Sequence, residues 1–174
     1  MTALPPAGPG PAGQLPTPAQ TIGPFFRFAT EWLAGRDLDR RGAAGAVRVG
    51  GSVFDGEGAV VPDALLEAYY PGRGLARCLT DETGSYEFWT AKPPPDPAGQ
   101  APHLELSVFA RGLLQRLWTR IYFPDEPDAN GQDPFLRSVG DAGRAATLVA
   151  VPDGRDLRFD IRLQGERETV FLAW

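Results

Sequence analysis

The sequence predicts an all-β fold, an antiparallel β-sandwich with an extended N-terminal arm and long loops. Three observations support this class. Roughly seven to nine short segments alternate apolar and polar residues, which is the period of a strand. Turn sequences such as Asp55-Gly56 separate these segments. Gly and Pro are frequent, at 21 and 18 residues, which favours many turns over long helices.

The predicted strands follow one another along the chain. They are residues 47–54, 64–70, 85–90, 103–110, 115–123, 147–151 and 157–163. A hairpin turn is predicted at 151–154, and residues 168–174 are too apolar to extend freely into solvent.

The N-terminal region divides into two parts. Residues 1–16 are rich in Pro, Gly and Ala and are expected to be disordered. Residues 17–34 contain Pro18 and Gly23-Pro24, which oppose a regular helix. Because Phe25, Phe26 and Phe28 are too apolar for a free tail, we expect this arm to dock. The domain is therefore predicted to span 17–174.

Composition excludes several function classes. The chain has 174 residues and a formal net charge of −5, with no basic patch, so we expect no nucleic-acid partner. No apolar run reaches membrane-spanning length, and no secretory signal is recognisable. The single cysteine, Cys78, suits a reducing compartment. We expect a cytoplasmic protein without a membrane partner.

The single histidine of the chain, His103, marks the candidate site. Side chains two residues apart on a strand share a face, so Glu105 lies beside His103. A His-X-His pair there would clamp a metal, whereas this chain has only one of the two imidazoles. Four tyrosines fall in strand patterns, where a packed ring is the default; they are Tyr69, Tyr70, Tyr86 and Tyr122. His103 and Glu105 are thus interpreted as a vestigial metal site.

Several segments together resemble one family. They are TPAQTIGPFF, GSVFDGEGAVVPDALLEAY, LTDETGSYEFWTAKP, APHLELSVFARGLLQRLWTRIYFPDE and LRFDIRLQGERETVFLAW. In this order they resemble the intradiol ring-cleavage dioxygenases, and among them the alpha subunits of the heteromeric members that cleave protocatechuate. The resemblance covers most of the chain from Thr17 to Trp174.

The resemblance implies an enzyme made of two kinds of chain. In such enzymes a beta subunit holds Fe(III) with two tyrosinates and two histidines, and protocatechuate reacts with O2 to give 3-carboxy-cis,cis-muconate. Here Glu105 replaces one histidine, and the proline-rich loop after Lys92 contains no tyrosine. The resemblance therefore implies a non-iron alpha subunit in a higher αβ oligomer, with Fe(III) bound by the homologous beta subunit.

The resemblance also implies substrate-binding residues that act across the subunit interface. They are Thr21, Gly23 and Pro24 of the arm and Arg111 of the Phe-Ala-Arg-Gly segment. An arginine there would favour an anionic aromatic acid. Considered without the family, the same residues favour an arm that only packs and an arginine in a surface ion pair. Phe25 stands where the family has a tyrosine, so a hydrogen bond from that hydroxyl is absent.

Two other interpretations remain open at this stage. Glycine-rich turns of this kind also occur in transthyretin-like β-sandwich modules, which bind partners and carry no catalyst; those modules are shorter and lack the arm. A homomeric iron dioxygenase using His103, Glu105 and tyrosines is the third interpretation.

Overall fold

The computed structural model describes residues 18–23, 25–30, 37–94, 96 and 98–173. The expected disordered tail, Pro24 and Trp174 lie outside the described residues, and the arm is described only in part. Short α1 (Phe26–Thr30) lies within the predicted arm, so residues 26–30 are helical and not extended as predicted. The strands are β1 (Ala46–Phe54), β2 (Leu65–Tyr70), β3 (Gly74–Leu79), β4 (Ser85–Ala91), β5 (His103–Phe109), β6 (Leu117–Tyr122), β7 (Val151–Asp153), β8 (Asp156–Arg158) and β9 (Ile161–Arg162).

These strands form two sheets that face each other, which confirms the predicted β-sandwich. One sheet has the order β4-β1-β8-β7, with β9 also paired to β1, and the other has the order β3-β2-β5-β6. The second sheet is antiparallel throughout. The first departs from the prediction because β8 and β9 both run parallel to β1. Period-2 alternation predicts strands but carries no information about the direction of their partners.

The core lies between the two sheets and follows the alternation read from the sequence. In β5, Leu104, Leu106 and Val108 are fully buried, whereas the residues between them point to the outer face. Val49 and Val53 of β1 meet them from the other sheet. Burial of this apolar surface is the main stabilising contribution to such a sandwich.

Two predicted strands are wrong in detail. The segment predicted as a strand at 147–151 follows α4 (Ala142–Ala146) as a turn, and β7 begins only at Val151. The segment predicted at 157–163 is divided into β8 and β9. Two further helices were not predicted, α2 (Pro127–Gln132) and α3 (Pro134–Ser138). Each helix has only five or six residues, too few to display a helical period.

Strand β5 determines where the candidate residues lie. His103 is its first residue, and Arg111 lies two residues beyond its last residue, Phe109. Six strand steps separate the strand's two ends, which is roughly 20 Å at about 3.3 Å per residue. The two candidate groups therefore lie at opposite ends of the second sheet.

The C-terminal segment docks against β6, as its apolar composition predicts. The Thr119 hydroxyl donates to the carbonyl of buried Val170 at 2.7 Å, and Leu172 N–H donates to the Trp118 carbonyl, also at 2.7 Å. Among the helices that the structure describes, none combines the length and apolar character needed to cross a bilayer.

Candidate functional site

A cavity of about 310 Å³ lies beside the first residue of β5, next to the proline-rich loop. His103 lines it, and its Nδ1 lies 2.8 Å from the Ala101 carbonyl oxygen. A carbonyl can only accept, so Nδ1 carries the proton and donates. Nε2, the nitrogen left to bind a cation, lies 3.4 Å from Glu105 Oε1. The structure thus brings the predicted pair His103 and Glu105 together.

Arg120 of β6 occupies the space beside this pair. Antiparallel register places it directly opposite Glu105, and its terminal nitrogen lies 3.2 Å from Glu105 Oε1. The other terminal nitrogen donates to Gln100 at 2.8 Å and to the Tyr122 hydroxyl at 3.3 Å. The guanidinium also stacks over Phe135, 4.9 Å from the ring centre. This cross-strand pair neutralises the Glu105 charge within the chain.

Tyr122 and Asp133 support Arg120 from below. The Tyr122 hydroxyl donates to Asp133 at 3.2 Å. Burial raises the pKa of the Tyr122 phenol further above its usual value, so the hydroxyl keeps its proton and can donate. Asp133 is fully buried and caps α3 by accepting from the N–H groups of Phe135 and Leu136, both at 2.9 Å. The polar groups of Tyr122 and Asp133 are therefore used in hydrogen bonds that stabilise the fold.

Ferric iron does not fit these residues. Across the described part of the chain, no three His, Cys, Asp or Glu side chains converge as a metal-binding group. One imidazole and two carboxylates, those of Glu105 and Asp96, line the cavity. Asp96 accepts from the Ala98 N–H at 2.7 Å, and the Arg120 guanidinium lies within ion-pair distance of Glu105. A cation placed there would be repelled by Arg120. These observations weigh against the homomeric iron enzyme.

The remaining tyrosines divide between the core and the region around His103 and Glu105. Tyr86 is buried in the core and donates to the Phe159 carbonyl at 2.6 Å. Tyr69 of β2 lies directly opposite Glu105, on the same outer face of the sheet, and is 46% exposed. Tyr70 lines the cavity from the end of β2, and the Arg73 guanidinium lies over its ring.

At the other end of β5, the described part of the arm contacts the turn that carries Arg111. The Thr21 hydroxyl accepts from the Gly112 N–H at 2.7 Å, and the Phe26 ring lies 6.4 Å from that of Phe109. Gly23 accepts from the Phe26 N–H at 3.1 Å. Of the predicted arm residues, Pro24 lies outside the described part of the chain. The described part of the arm thus contacts this turn through Thr21 and Phe26, whereas Phe25 and Phe28, on which the expectation of docking also rested, are 78% and 68% exposed.

Arg111 forms an ion pair with Asp63 through its Nε. The Asp63 side chain is 13% exposed, whereas that of Arg111 is 55% exposed. When the family resemblance is left aside, Arg111 is expected to form a surface ion pair, and the structure contains that pair. Because the pair uses the Nε edge, the outer end of the guanidinium remains open to a ligand.

Sequence reasoning missed Asp63 and Arg120. Alternation places Arg120 on the same face as Tyr122, but only the strand register shows that Glu105 is opposite. Asp63 lies in a loop before β2, and its partner Arg111 comes 48 residues later in the sequence. Neither pairing has a local sequence signal.

No family model matches the chain. Three known proteins that are similar to it are, in contrast, chains of one kind of enzyme. The protocatechuate 3,4-dioxygenase alpha chain of Burkholderia cepacia is 37% identical over 193 aligned positions, covering 89% of this chain and 95% of that protein. The alpha chain of Pseudomonas putida is 36% identical, covering 89% and 94%. The beta chain of Burkholderia cepacia is 34% identical, covering 62% of this chain and 50% of that protein.

Solved structures with the same fold are also dioxygenases. The dioxygenase domain of a carbohydrate-binding fusion protein from Streptomyces sp. SirexAA-E superposes with a TM-score of 0.57 at 25% identity, covering 86% of this chain and 99% of that domain. An intradiol ring-cleavage dioxygenase from Tetranychus urticae, 14% identical and with a TM-score of 0.55, shares the fold over 68% of this chain and 80% of its own length.

Proposed function

The chain belongs to the protocatechuate 3,4-dioxygenase alpha chains within the intradiol dioxygenases, and from that premise we propose that it works as the non-iron subunit of an αβ dioxygenase. A homologous beta chain supplies Fe(III), and the complex cleaves protocatechuate with O2 to 3-carboxy-cis,cis-muconate. The proposal includes a higher αβ oligomer in the cytoplasm, in keeping with a single buried cysteine, Cys78.

The observation that carries the proposal is the internal ion pair in the cavity beside His103. Arg120 lies against Glu105 in the place where a metal would need free ligands. A chain of this family that neutralises its own carboxylate in this way depends on a second chain for the metal. Sharing a fold with a catalytic beta chain, it can still form one wall of that chain's site.

The contribution of this chain to catalysis is the second part of the proposal. Arg111 presents an exposed guanidinium, and protocatechuate carries a carboxylate that such a group binds well. Thr21, Gly23 and Pro24 complete the same wall from the arm. The contact of Thr21 with Gly112 supports this arrangement, because it brings the arm beside Arg111.

Co-expression with the beta-type partner tests the assembly. We expect a rust-coloured, active complex only when both chains are present, because the phenolate–iron absorption requires ligands that this chain lacks. An iron-loaded, coloured preparation of this chain alone would contradict the proposal, as would an active beta chain that ignores this one during gel filtration.

Replacement of Arg111 tests the catalytic contribution. A charged hydrogen bond to an anion contributes about 1.5–3 kcal/mol, so Arg111→Ala should lower kcat/KM for protocatechuate about tenfold to a hundredfold, with iron content unchanged. Uncharged catechol should lose much less. Arg158→Ala is the matched control, since Arg158 is 57% exposed and paired with Asp160. Equal losses on both substrates would show that Arg111 does not bind the carboxylate.

A further inference from the structure

The turn that carries Arg111 is held from two sides. Gly112 has a φ of +85°, which L residues rarely adopt, and its N–H donates to the Thr21 hydroxyl at 2.7 Å. The side chain of Arg111 is held separately, through its ion pair with Asp63. The arm thus fixes the backbone of the turn, and the carboxylate fixes the side chain.

Strand pairing explains why Asp63 meets Arg111. Leu65 of β2 lies directly opposite Phe109 of β5 in an antiparallel register. Beyond this pair both chains leave the sheet, with Asp63 in a turn two residues before Leu65 and Arg111 in a turn two residues after Phe109. The pairing of β2 with β5 therefore brings the two turns together, and the ion pair of Asp63 with Arg111 links them.

The environment of Asp63 makes it a directional anchor. One carboxylate oxygen meets Arg111 Nε, and the other is buried with no hydrogen-bond partner in the part of the chain that the structure describes. A largely buried carboxylate with this single strong contact holds its arginine more firmly than an exposed pair would. Anchoring at Nε directs the outer end of the guanidinium away from Asp63.

We propose that Asp63 and Thr21 are positioning residues, which fix the direction of Arg111 so that its outer nitrogens meet the carboxylate of the aromatic substrate. This inference rests on the proposed function, since it requires Arg111 to contact substrate. Asp63 itself contacts no substrate. Asp63 restricts the conformations of the long Arg111 side chain. This lowers the entropy cost of reaching the substrate-bound geometry, which is how positioning raises catalytic efficiency.

Asp63→Asn in the assembled αβ enzyme is the first test. Asparagine keeps the shape and an acceptor but loses the charge, so kcat/KM for protocatechuate should fall about fivefold to tenfold, mainly through KM. The change for catechol should stay within about twofold. Asp63→Glu, which restores the charge, should recover part of the loss. Glu67→Gln is the control, because Glu67 forms a comparable ion pair with Arg77 on β3.

A double-mutant cycle separates positioning from general damage. In an Arg111→Ala background, Asp63→Asn should add no further loss in kcat/KM, because the group that it positions is gone. Thr21→Val removes the hydroxyl but keeps the shape, and it should show the same substrate selectivity and the same lack of additivity. Circular dichroism and iron content should match wild type for all variants.

The outcomes separate a failure of the proposed function from a failure of the positioning inference. If Arg111→Ala is silent, the proposed contact with substrate fails and the positioning roles fail with it. If Arg111→Ala is impaired while Asp63→Asn is not, only the positioning inference is overturned. Losses that are equal for protocatechuate and catechol, or that add fully to Arg111→Ala, would also overturn it.

Discussion

Replacing Arg120 with methionine tests whether the cavity beside His103 depends on its internal ion pair. Methionine keeps an apolar stem of similar length to pack on Phe135 but removes the charge. Glu105 would lose its cationic partner while its second oxygen, Oε2, already has no partner among the described residues. We therefore expect a clear loss of stability and no change in the sheet.

The magnitude follows from burial. Removing one member of a buried pair costs about 3–5 kcal/mol. The Glu105 side chain retains 21% exposure, and that of Arg120 retains 12%, so some solvation of the orphaned carboxylate is possible. The lower end of the range, about 3 kcal/mol, is expected, which corresponds to a decrease in Tm of roughly 6–12 °C for a domain of this size.

Urea unfolding of the full chain measures the effect, with an unchanged m-value required for a two-state comparison. The double variant Glu105→Leu/Arg120→Met removes both charges and should recover to within about 1 kcal/mol of wild type. Arg158→Ala, which breaks an exposed pair, should cost about 0–1 kcal/mol. A cost below about 1 kcal/mol for Arg120→Met, or a double variant as unstable as the single one, would show that Glu105 does not depend on Arg120 for its stability in the fold.

Two further predictions concern the metal and the buried thiol. Glu105→His creates a His-X-His pair, but calorimetry should detect no Zn²⁺ binding because the Arg120 guanidinium remains. The double variant Glu105→His/Arg120→Gln should bind Zn²⁺. Tight binding by the single variant would contradict the role given to Arg120. Burial raises the pKa of the Cys78 thiol from 9.0 to about 12, so the unfolded chain releases this proton first as the pH rises. The stabilisation that comes from the protonated thiol is complete below about pH 9 and is lost towards pH 12. Between pH 9 and 10 the free energy of unfolding of wild type should fall by about 1 kcal/mol more than that of Cys78→Ala. Parallel pH profiles of the unfolding free energy for the two proteins would disprove this.

Much of the fold was determined by the sequence alone. Alternation predicted β1, β2, β4, β5 and β6 to within about two residues, because the sandwich buries one face of each strand and the pattern records that directly. The apolar C-terminal segment was predicted to dock for the same reason, whereas Phe25 and Phe28 of the arm, which led to the same prediction, are largely exposed. Short helices such as α4 were missed, since five residues capped by Asp141 contain no period to detect.

The candidate site was only half determined in this way. A lone histidine with Glu105 two residues later predicted an incomplete metal site, because two side chains on one strand share a face regardless of the rest of the fold. The pairing of Glu105 with Arg120 and of Asp63 with Arg111 required the register of β2, β5 and β6. Register depends on which strands meet and in which direction, and that is decided by packing between segments far apart in the chain. Tertiary structure therefore decided which charges are neutralised inside the chain and which guanidinium remains open to a ligand.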